Sequence, residues 1–269
     1  MAKFYCKDSR KMTDVKDSSV HLIITSPPYF DLKNYNEEKN HSSKDQIGSP
    51  ANYDEYIEGL NQVWGECIKK LTPDGKLCIN IMPVLLSGTE TKFKRRVVRT
   101  VIQDIEDYIN STEKMYLHSL YIWDKRKIVR FSSFGSYPYP TNMFSSFPYE
   151  WIVVFAKQGK RDPVDKKIKE KSKLTHREWR GWATNSIWEM QPAKAKSVGH
   201  PAPFPDELPK RLIKLYSFHG DTVLDPFVGS GTTVRVAEDL SRKGIGYDLN
   251  PDYIKSSKNK MIKNKPNSK

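Results

Sequence analysis

The last third of the chain has the sequence pattern of an apolar strand, a glycine turn, a helix and a second strand. The pattern predicts the first strand over 221–225, the turn and the helix start over 226–233, and the second strand over 244–248. Two strands joined through a helix run parallel in one sheet, because the crossover brings the chain back to the same edge. The segment therefore predicts an α/β fold, in which ligands bind outside the carboxyl ends of the strands.

The glycine turn itself narrows the class of ligand. Gly229 and Gly231 let the backbone approach a ligand closely, and the helix start offers free N–H groups. No lysine follows the turn, which excludes the phosphate-cradling pattern of ATPases, and the third glycine of the dinucleotide fingerprint is missing. Asp248 stands about where an acid would bind a ribose. The pattern favours a nucleoside without a pyrophosphate, whereas a helix cap at Asp225 and a turn residue at Asp248 are the structural alternatives.

A second motif, Thr25-Ser26-Pro27-Pro28-Tyr29, directly follows the apolar run 20–24. Each proline fixes its own φ and restricts the residue before it, so the carbonyls point in preset directions. Preset acceptors beside a ring suit a flat substrate that carries an amino group, with Tyr29 stacked on its face. A turn that only ends a strand, or an exposed polyproline ligand, is the alternative. In a parallel sheet, Ser26 and Gly229 would meet at the carboxyl edge.

The remaining hydrophobic pattern predicts a mostly parallel, Rossmann-like sheet with helices on both faces. Strands are predicted over 3–6, 20–24, 76–81, 115–123, 150–156, 222–225 and 245–248. A first helix extends from Tyr53 to Leu71, with Asn52 and Glu55 as its cap and the turn 72–75 at its end. A second helix is predicted across the apolar residues from Phe93 to Ile109.

Charge and cysteine content limit the partners and the compartment. The chain has 45 basic and 32 acidic side chains in 269 residues, a formal charge of +13, which favours a polyanionic partner. Binding to a ribosome or to a membrane surface would fit the same net charge. Cys6, Cys67 and Cys78 form no C-x-x-C pair, so we expect a reducing compartment and neither disulfides nor a metal site. With no signal peptide and no bilayer-length apolar run, the expected location is cytoplasmic.

Three motifs in a fixed order carry a family resemblance. They are Thr-Ser-Pro-Pro-Tyr at 25–29, His-Pro-Ala-Pro-Phe-Pro-x-x-Leu at 200–208 and Asp-Pro-Phe-x-Gly-Ser-Gly-Thr-Thr at 225–233. Shorter matches occur at 8–9, 73–77 and 122–125. The chain resembles, over nearly its whole length, the β-class amino-methyltransferases of DNA from restriction-modification systems, in which the catalytic motif precedes the cofactor motif.

The resemblance implies roles for individual residues. The catalytic motif comprises Ser26, Pro27, Pro28 and Tyr29. S-adenosylmethionine is the implied cofactor, and its implied contacts are Asp8, Pro203, Phe204, Pro205, Leu208, Asp225, Pro226, Phe227, Gly229, Ser230, Gly231, Thr232, Thr233, Asp248 and Asn250. Asp248 would hold the ribose, and 204–208 would approach the methionine end. For Asp8, contact with the adenine and capping of a turn are equal alternatives.

The implied reaction is methylation of an exocyclic amine, most consistent with N4 of a cytosine flipped out of double-stranded DNA. The amine would donate its hydrogens to Ser26 Oγ and to the Pro27 carbonyl. The family usually has Asp where Ser26 stands, so serine favours cytosine, whereas adenine-N6 methylation uses the same fold. An RNA substrate, or a catalytically silent nucleic-acid-binding module, would also fit the motifs. No Pro-Cys nucleophile occurs, which disfavours cytosine-C5 chemistry. A restriction endonuclease that acts on the same site is a possible partner.

The same resemblance divides the chain into a catalytic half (1–156), a target-recognition region (157–197) and a cofactor-binding half (198–269). Two basic sets are the expected DNA contacts, with a solvated loop as the alternative. They are Lys92, Lys94, Arg95 and Arg96, and Lys166, Lys167, Lys169, Lys171, Lys173, Arg177 and Arg180. The aromatic segment 131–140 either walls the pocket of the flipped base or packs as a hairpin on Phe144 and Phe147.

Overall fold

The computed structural model of the protein describes residues 2–30, 46–48, 50–127, 134–191 and 205–263. The strands are β1 Lys3–Cys6, β2 Val20–Thr25, β3 Leu71–Ile81, β4 Val84–Leu86, β5 Val97–Arg99, β6 Met115–Asp124, β7 Phe134–Gly135, β8 Met143–Phe144, β9 Tyr149–Lys157, β10 Ile187–Glu189, β11 Thr222–Asp225 and β12 Lys243–Asp248. The helices are α1 Tyr53–Lys70, α2 Val101–Ser111, α3 Lys166–Lys171, α4 His176–Glu178, α5 Glu207–Tyr216, α6 Thr232–Asp239 and α7 Pro251–Lys263, and a π-helical turn covers Trp179–Ala183.

One eight-stranded sheet organises the molecule, in the order β1-β12-β11-β2-β3-β9-β6-β10. Its strand pairs are parallel except for those of β9, which is antiparallel to both β3 and β6. The predicted mostly parallel α/β fold is therefore confirmed. Strands from all three predicted segments of the chain contribute to this sheet, and the division into segments stays a prediction.

Alternation along the strands separates the core into two layers. In β3, Leu77 and Ile79 pack with the buried faces of α1 and α2, whereas Cys78 between them packs with α5 and α6 on the other face. Trp64 of α1 and Trp188 of β10 are the largest fully buried side chains of the two layers. Helices therefore cover both faces, as the sequence predicts.

Helix α1 matches its sequence signals closely. Asn52 accepts a hydrogen bond from the Glu55 N–H at 2.9 Å, and the Glu55 carboxylate accepts one from the Ala51 N–H, which satisfies the exposed start of the helix. The helix ends at Lys70, and the predicted turn at 72–75 lies within the first residues of β3. Asp74 there has a φ of 60°, in the left-handed region.

The second predicted helix was wrong in its first half. Helix α2 begins at Val101, and the preceding residues Val97–Arg99 form β5, which pairs antiparallel with β4. Phe93 is 63% exposed and belongs to no helix. The apolar spacing over 97–98 fits a helix or a strand, and the two β-branched valines favour the strand once β4 offers a partner.

Among the described residues, no helix is long and apolar enough to cross a membrane.

Candidate active site

The carboxyl ends of β2 and β11 lie side by side, at the place where the chain connections diverge. From β2 the chain passes through α1 to β3 on one side, and from β11 it passes through α6 to β12 on the other. Such a switch point leaves a crevice outside the strand ends. The Thr25 hydroxyl donates to Asp225 Oδ1 at 2.8 Å and so ties the two strand ends together.

A cleft that is partly open to solvent occupies this crevice. Its walls are residues 7–9, 26–29, 46–48, 226–227, 248–250 and Tyr253. Four of these stretches lie at the carboxyl ends of β1, β2, β11 and β12, so the sheet topology itself gathers them. The cleft therefore brings together residues 25–29, the Ser26 motif, and the segment that begins at Pro226, although they are far apart in the sequence.

The backbone of the Ser26 motif is held from below by α1. The Tyr56 hydroxyl donates to the Pro28 carbonyl oxygen at 3.0 Å. Together with the fixed φ of the two prolines, this contact leaves the motif little conformational freedom. The hydroxyl of Ser26 and the ring of Tyr29 are thus presented to the cleft from a rigid strand end.

A buried polar network lies directly behind Ser26, and no sequence pattern indicates it as a unit. The Tyr29 hydroxyl donates to Glu150 Oε2 at 3.0 Å, and its oxygen lies 3.4 Å from Ser26 Oγ. The Asn80 amide donates to the same Glu150 oxygen at 2.5 Å, and Lys125 forms an ion pair with the other oxygen. Lys125 belongs to one of the shorter family matches and Glu150 to a predicted strand, but only the folded sheet shows that they meet.

Asp225 is a structural carboxylate beneath the cleft. It is 1% exposed and accepts hydrogen bonds from the Thr25 and Thr233 hydroxyls and from the Phe227 N–H. Burial raises its pKa to about 6. Asp225 does not line the cleft. Asp225 accepts the Phe227 N–H of the turn after β11 but does not cap α6, whose N-cap is Gly231. Its contact with a cofactor stays a prediction.

Asp248, in contrast, faces the cleft at the end of β12. Its two oxygens accept the Gly229 N–H at 2.8 Å and the Asn250 N–H at 2.9 Å, one to each oxygen. Burial raises its pKa to about 6. Each carboxylate oxygen keeps a further lone pair, so Asp248 can accept hydrogen bonds from two neighbouring hydroxyl groups of a ligand.

The other residues predicted to contact the cofactor fall into three groups. Asp8, Pro226, Phe227 and Asn250 line the cleft with Asp248. Seven further residues are buried and do not line the cleft: Pro205, Leu208, Gly229, Ser230, Gly231, Thr232 and Thr233. Pro203 and Phe204 lie outside the described residues. Their contact with a cofactor stays a prediction.

Two of these positions show why the residue types matter. Gly231 has a φ of 84°, and a Cβ atom there would lie 2.8 Å from the Ser257 side chain of α7. This glycine therefore permits a close approach of α7 as well as a turn. Asp8 accepts from the Arg10 N–H at 2.8 Å and pairs with the Arg10 guanidinium, so it caps a turn while it also lines the cleft.

Several lining residues were not predicted from the sequence. They are Lys7, Ser9, Gln46, Ile47, Gly48, Leu249 and Tyr253. Lys7, Ser9 and Leu249 are sequence neighbours of predicted residues, and that adjacency was the available signal. The segment 46–48 and Tyr253 of α7 reach the cleft only through tertiary packing.

The first basic set lies at the edge of the sheet where the cleft opens. Lys92, Lys94, Arg95 and Arg96, the hairpin cations, are exposed residues of the connection between β4 and β5. This connection follows the carboxyl end of β3, next to β2 and Ser26. The hairpin cations therefore follow, along the chain, the sheet edge at which the cleft lies, and their contact with DNA stays a prediction.

The second basic set lies elsewhere. Lys166, Lys167, Lys169, Lys171 and Lys173, the helix lysines, are exposed on and after α3. Because β9 is antiparallel, the chain leaves it at the amino ends of the parallel strands. Around α3, Arg161 pairs with Asp221 and the His219 N–H donates to Ser172, both contacts made at the start of β11. The helix lysines thus lie at the edge opposite the cleft, and their contact with DNA stays a prediction.

Arg177 and Arg180 are exposed on α4 and the π-helical turn, and 187–189 of the predicted recognition region form edge strand β10. Residues 134–144 form a β7–β8 hairpin in which Tyr137 is 79% and Tyr139 73% exposed, while 131–133 lie outside the described residues. In the described part of the chain, no group of three His, Cys, Asp or Glu side chains is arranged to hold a metal ion.

Comparison with known proteins assigns the family. The family profile described as DNA methylase, N6_N4_Mtase, matches residues 20–259. The type II methyltransferase M.MjaI of Methanocaldococcus jannaschii is 33% identical over 267 residues, which cover 90% of this chain and 85% of that protein. The chain belongs to the N6/N4 DNA methylase family. The β-class resemblance inferred from the motifs is thereby confirmed.

Further relatives of this DNA methylase agree in length and fold. The type II methyltransferase M.MthZI of Methanothermobacter thermautotrophicus is 30% identical, with 97% of this chain and 77% of that protein covered. The structure of TTHA0409 from Thermus thermophilus, assigned as a DNA modification methylase and complexed with S-adenosyl-L-methionine, matches with a TM-score of 0.77 and 27% identity, covering 99% of this chain and 96% of that one. The cytosine-N4-specific PvuII DNA methyltransferase shares the fold with a TM-score of 0.61 and 20% identity, over 99% of this chain and 87% of that one.

Proposed function

We propose that this DNA methylase transfers a methyl group from S-adenosylmethionine to N4 of a cytosine that is flipped out of double-stranded DNA. The observation that carries the proposal is the position of Ser26. A serine, rather than an acidic residue, lines the cleft at this strand end, together with Asp248 and Phe227. A modification role beside a restriction endonuclease of the same specificity fits the type II methyltransferases among its relatives.

The cleft has the chemical groups that the cofactor requires. Asp248 offers lone pairs to two ribose hydroxyls, and its existing bonds to Gly229 and Asn250 fix the orientation of the carboxylate. Apolar groups for a flat adenine come from Pro226, Phe227 and Ile47. When bound, S-adenosylmethionine would supply a methyl group on a positively charged sulfur. The amine nitrogen would bond to the methyl carbon as the carbon–sulfur bond breaks, so that the neutral thioether leaves. The methylated, cationic amine would then lose one proton to solvent.

The Ser26 motif orients the amine. In the ground state the amine nitrogen is planar, because its lone pair is delocalised into the base. Hydrogen bonds from its N–H groups to Ser26 Oγ and to the Pro27 carbonyl favour a tetrahedral nitrogen with the lone pair directed along the cleft. A neutral serine suffices for this role, since orientation and electrostatic complementarity supply the rate increase.

The base has to leave the duplex to reach this cleft, at a cost of a few kcal/mol. The predicted stacking of Tyr29 on the flipped base would offset part of that cost, and Tyr29 lines the cleft. The connection that carries the hairpin cations follows the end of β3, next to β2 and Ser26, which supports a contact with phosphates of the same DNA segment. We therefore assign DNA backbone contact to the hairpin cations rather than to the helix lysines.

Adenine-N6 methylation is the main competing reaction, because the family includes both activities. The family's usual residue for adenine at the position of Ser26 is Asp, which is the reason for preferring cytosine. A catalytically silent DNA-binding module is disfavoured by the complete Ser26 motif and the cleft that it shares with Asp248.

The activity is tested by incubating unmethylated bacterial genomic DNA and total RNA separately with the protein and tritium-labelled cofactor. We expect label in DNA, loss of most label with Ser26→Ala, and no label in RNA. Unchanged methyl transfer by Ser26→Ala would show that Ser26 has no role in the mechanism. Label in RNA alone would show that the substrate is RNA and not DNA.

A further inference from the structure

The hydrogen bonds of the buried network behind Ser26 run in one direction from donor to acceptor, and this direction determines whether Ser26 can accept a hydrogen bond from a substrate. Glu150 is 7% exposed, Asn80 2% and Tyr29 7%, so the groups of this network are shielded from solvent. Resting on the proposed function, we infer that Glu150 is a positioning residue that acts through Tyr29 to make Ser26 a hydrogen-bond acceptor toward the substrate amine.

The direction follows from counting hydrogens. A carboxylate paired with a lysine can only accept, so Tyr29 and Asn80 must both donate to Glu150. A tyrosine hydroxyl has one hydrogen, and Tyr29 gives it to Glu150. At the contact of 3.4 Å between Ser26 Oγ and Tyr29, the hydrogen therefore belongs to Ser26. Long contacts of this kind are common in ligand-free active sites.

When Ser26 donates its hydrogen to Tyr29, both lone pairs of its oxygen stay available to accept hydrogen bonds, and Ser26 lines the cleft. The serine then presents an acceptor to a ligand, which matches the N–H of an exocyclic amine. A base with a carbonyl oxygen at the same place would meet acceptor against acceptor and leave buried groups unpaired. Glu150 thus contributes to the choice of amino bases over keto bases without touching the substrate.

Lys125 and Asn80 keep Glu150 in this state. The lysine ammonium pairs with one carboxylate oxygen, and the Asn80 amide at the other oxygen fixes the rotation of the carboxylate. Glu150 is the second residue of β9, and Asn80 lies near the end of β3. These two central strands pair directly, so they hold both Glu150 and Asn80 in place.

A double-mutant cycle tests the inference. The variants are Tyr29→Phe, which removes the hydroxyl and leaves the Glu150–Lys125 pair intact, Ser26→Ala, and the two combined. Glu150→Gln adds a direct test if it folds. Tyr53→Phe is the matched control, because it also removes a tyrosine hydroxyl that donates to a carboxylate, that of Asp104 at 2.5 Å, which is not a member of the network of Ser26, Tyr29 and Glu150.

We expect Tyr29→Phe to lower kcat by about tenfold, with the cofactor dissociation constant changed less than about twofold. In the Ser26→Ala background the same substitution should change kcat less than about twofold, because the group that it orients is gone. Tyr53→Phe should keep wild-type kcat.

Two results would overturn the inference alone: wild-type kcat in Tyr29→Phe, or an equal effect of Tyr29→Phe in both backgrounds. The second result would mean that Tyr29 acts independently of Ser26. Absence of methyl transfer by the wild-type protein would instead contradict the proposed function, and this inference would fail with it.

Discussion

The pH dependence of cofactor binding is a sharp test of the role of Asp248. Burial raises the pKa of this carboxyl to about 6, and the group lines the cleft. If its two oxygens accept the ribose hydroxyls, binding requires the ionised form. Lowering the pH through 6 should therefore weaken cofactor binding.

The size of the effect follows from the pKa of about 6. About nine tenths of the Asp248 carboxyl is ionised at pH 7 and about one tenth at pH 5. The dissociation constant should consequently rise about tenfold between pH 7 and pH 5, which corresponds to about 1.4 kcal/mol. An acid of ordinary pKa would give almost no change over this range.

The assay is titration of the protein with S-adenosylmethionine by calorimetry at pH 5, 6 and 7. Asp248→Asn should bind more weakly at pH 7 and show a flat profile. Asp225→Asn is the matched control, because Asp225 has a similarly raised pKa but does not line the cleft, so its variant should keep the wild-type slope. A wild-type dissociation constant that varies less than twofold, or a wild-type slope in Asp248→Asn, would refute the reasoning.

Three further predictions concern stability and DNA. Because the folded pKa of Asp225 lies above its unfolded value, its contribution to stability is present below about pH 4 and is lost as the pH rises through about 6. The free energy of unfolding of the wild type should fall relative to Asp225→Asn by up to about 3 kcal/mol between pH 4 and pH 8, measured by urea denaturation, and a rise would contradict this. Gly231→Ala should cost more than Gly220→Ala in the same assay, since both have a φ of 84° but only the former creates a steric clash, and equal losses would exclude the clash. Neutralising three hairpin cations should reduce the slope of log affinity against log salt by about 2 to 3, whereas three helix lysines should change it little. The opposite result would support the DNA contact that the sequence predicts for the helix lysines.

Much of the fold was predictable because local patterns and topology agree. The run before Ser26 and the strand before Pro226 are short, apolar and followed by turn residues, so both strands were found nearly to their ends. Since both belong to a parallel sheet, their carboxyl ends had to share an edge. The meeting of the two motifs was therefore derivable without a structure.

Each feature that the sequence did not reveal has a physical cause. Strand β10 has three residues, Ile187–Glu189, too few for any periodicity. The position of the helix lysines depends on the antiparallel direction of β9, which hydrophobic pattern does not reveal. The network of Tyr29, Glu150 and Lys125 joins three segments through that same strand, and no local signal links them.

The most direct test of the central claim is the identity of the methylated nucleoside. DNA methylated by the wild-type protein is digested to nucleosides and separated by liquid chromatography with mass spectrometry, with DNA treated with Ser26→Ala as the reference. The proposed function predicts N4-methyldeoxycytidine above that reference. N6-methyldeoxyadenosine in its place would contradict the cytosine assignment.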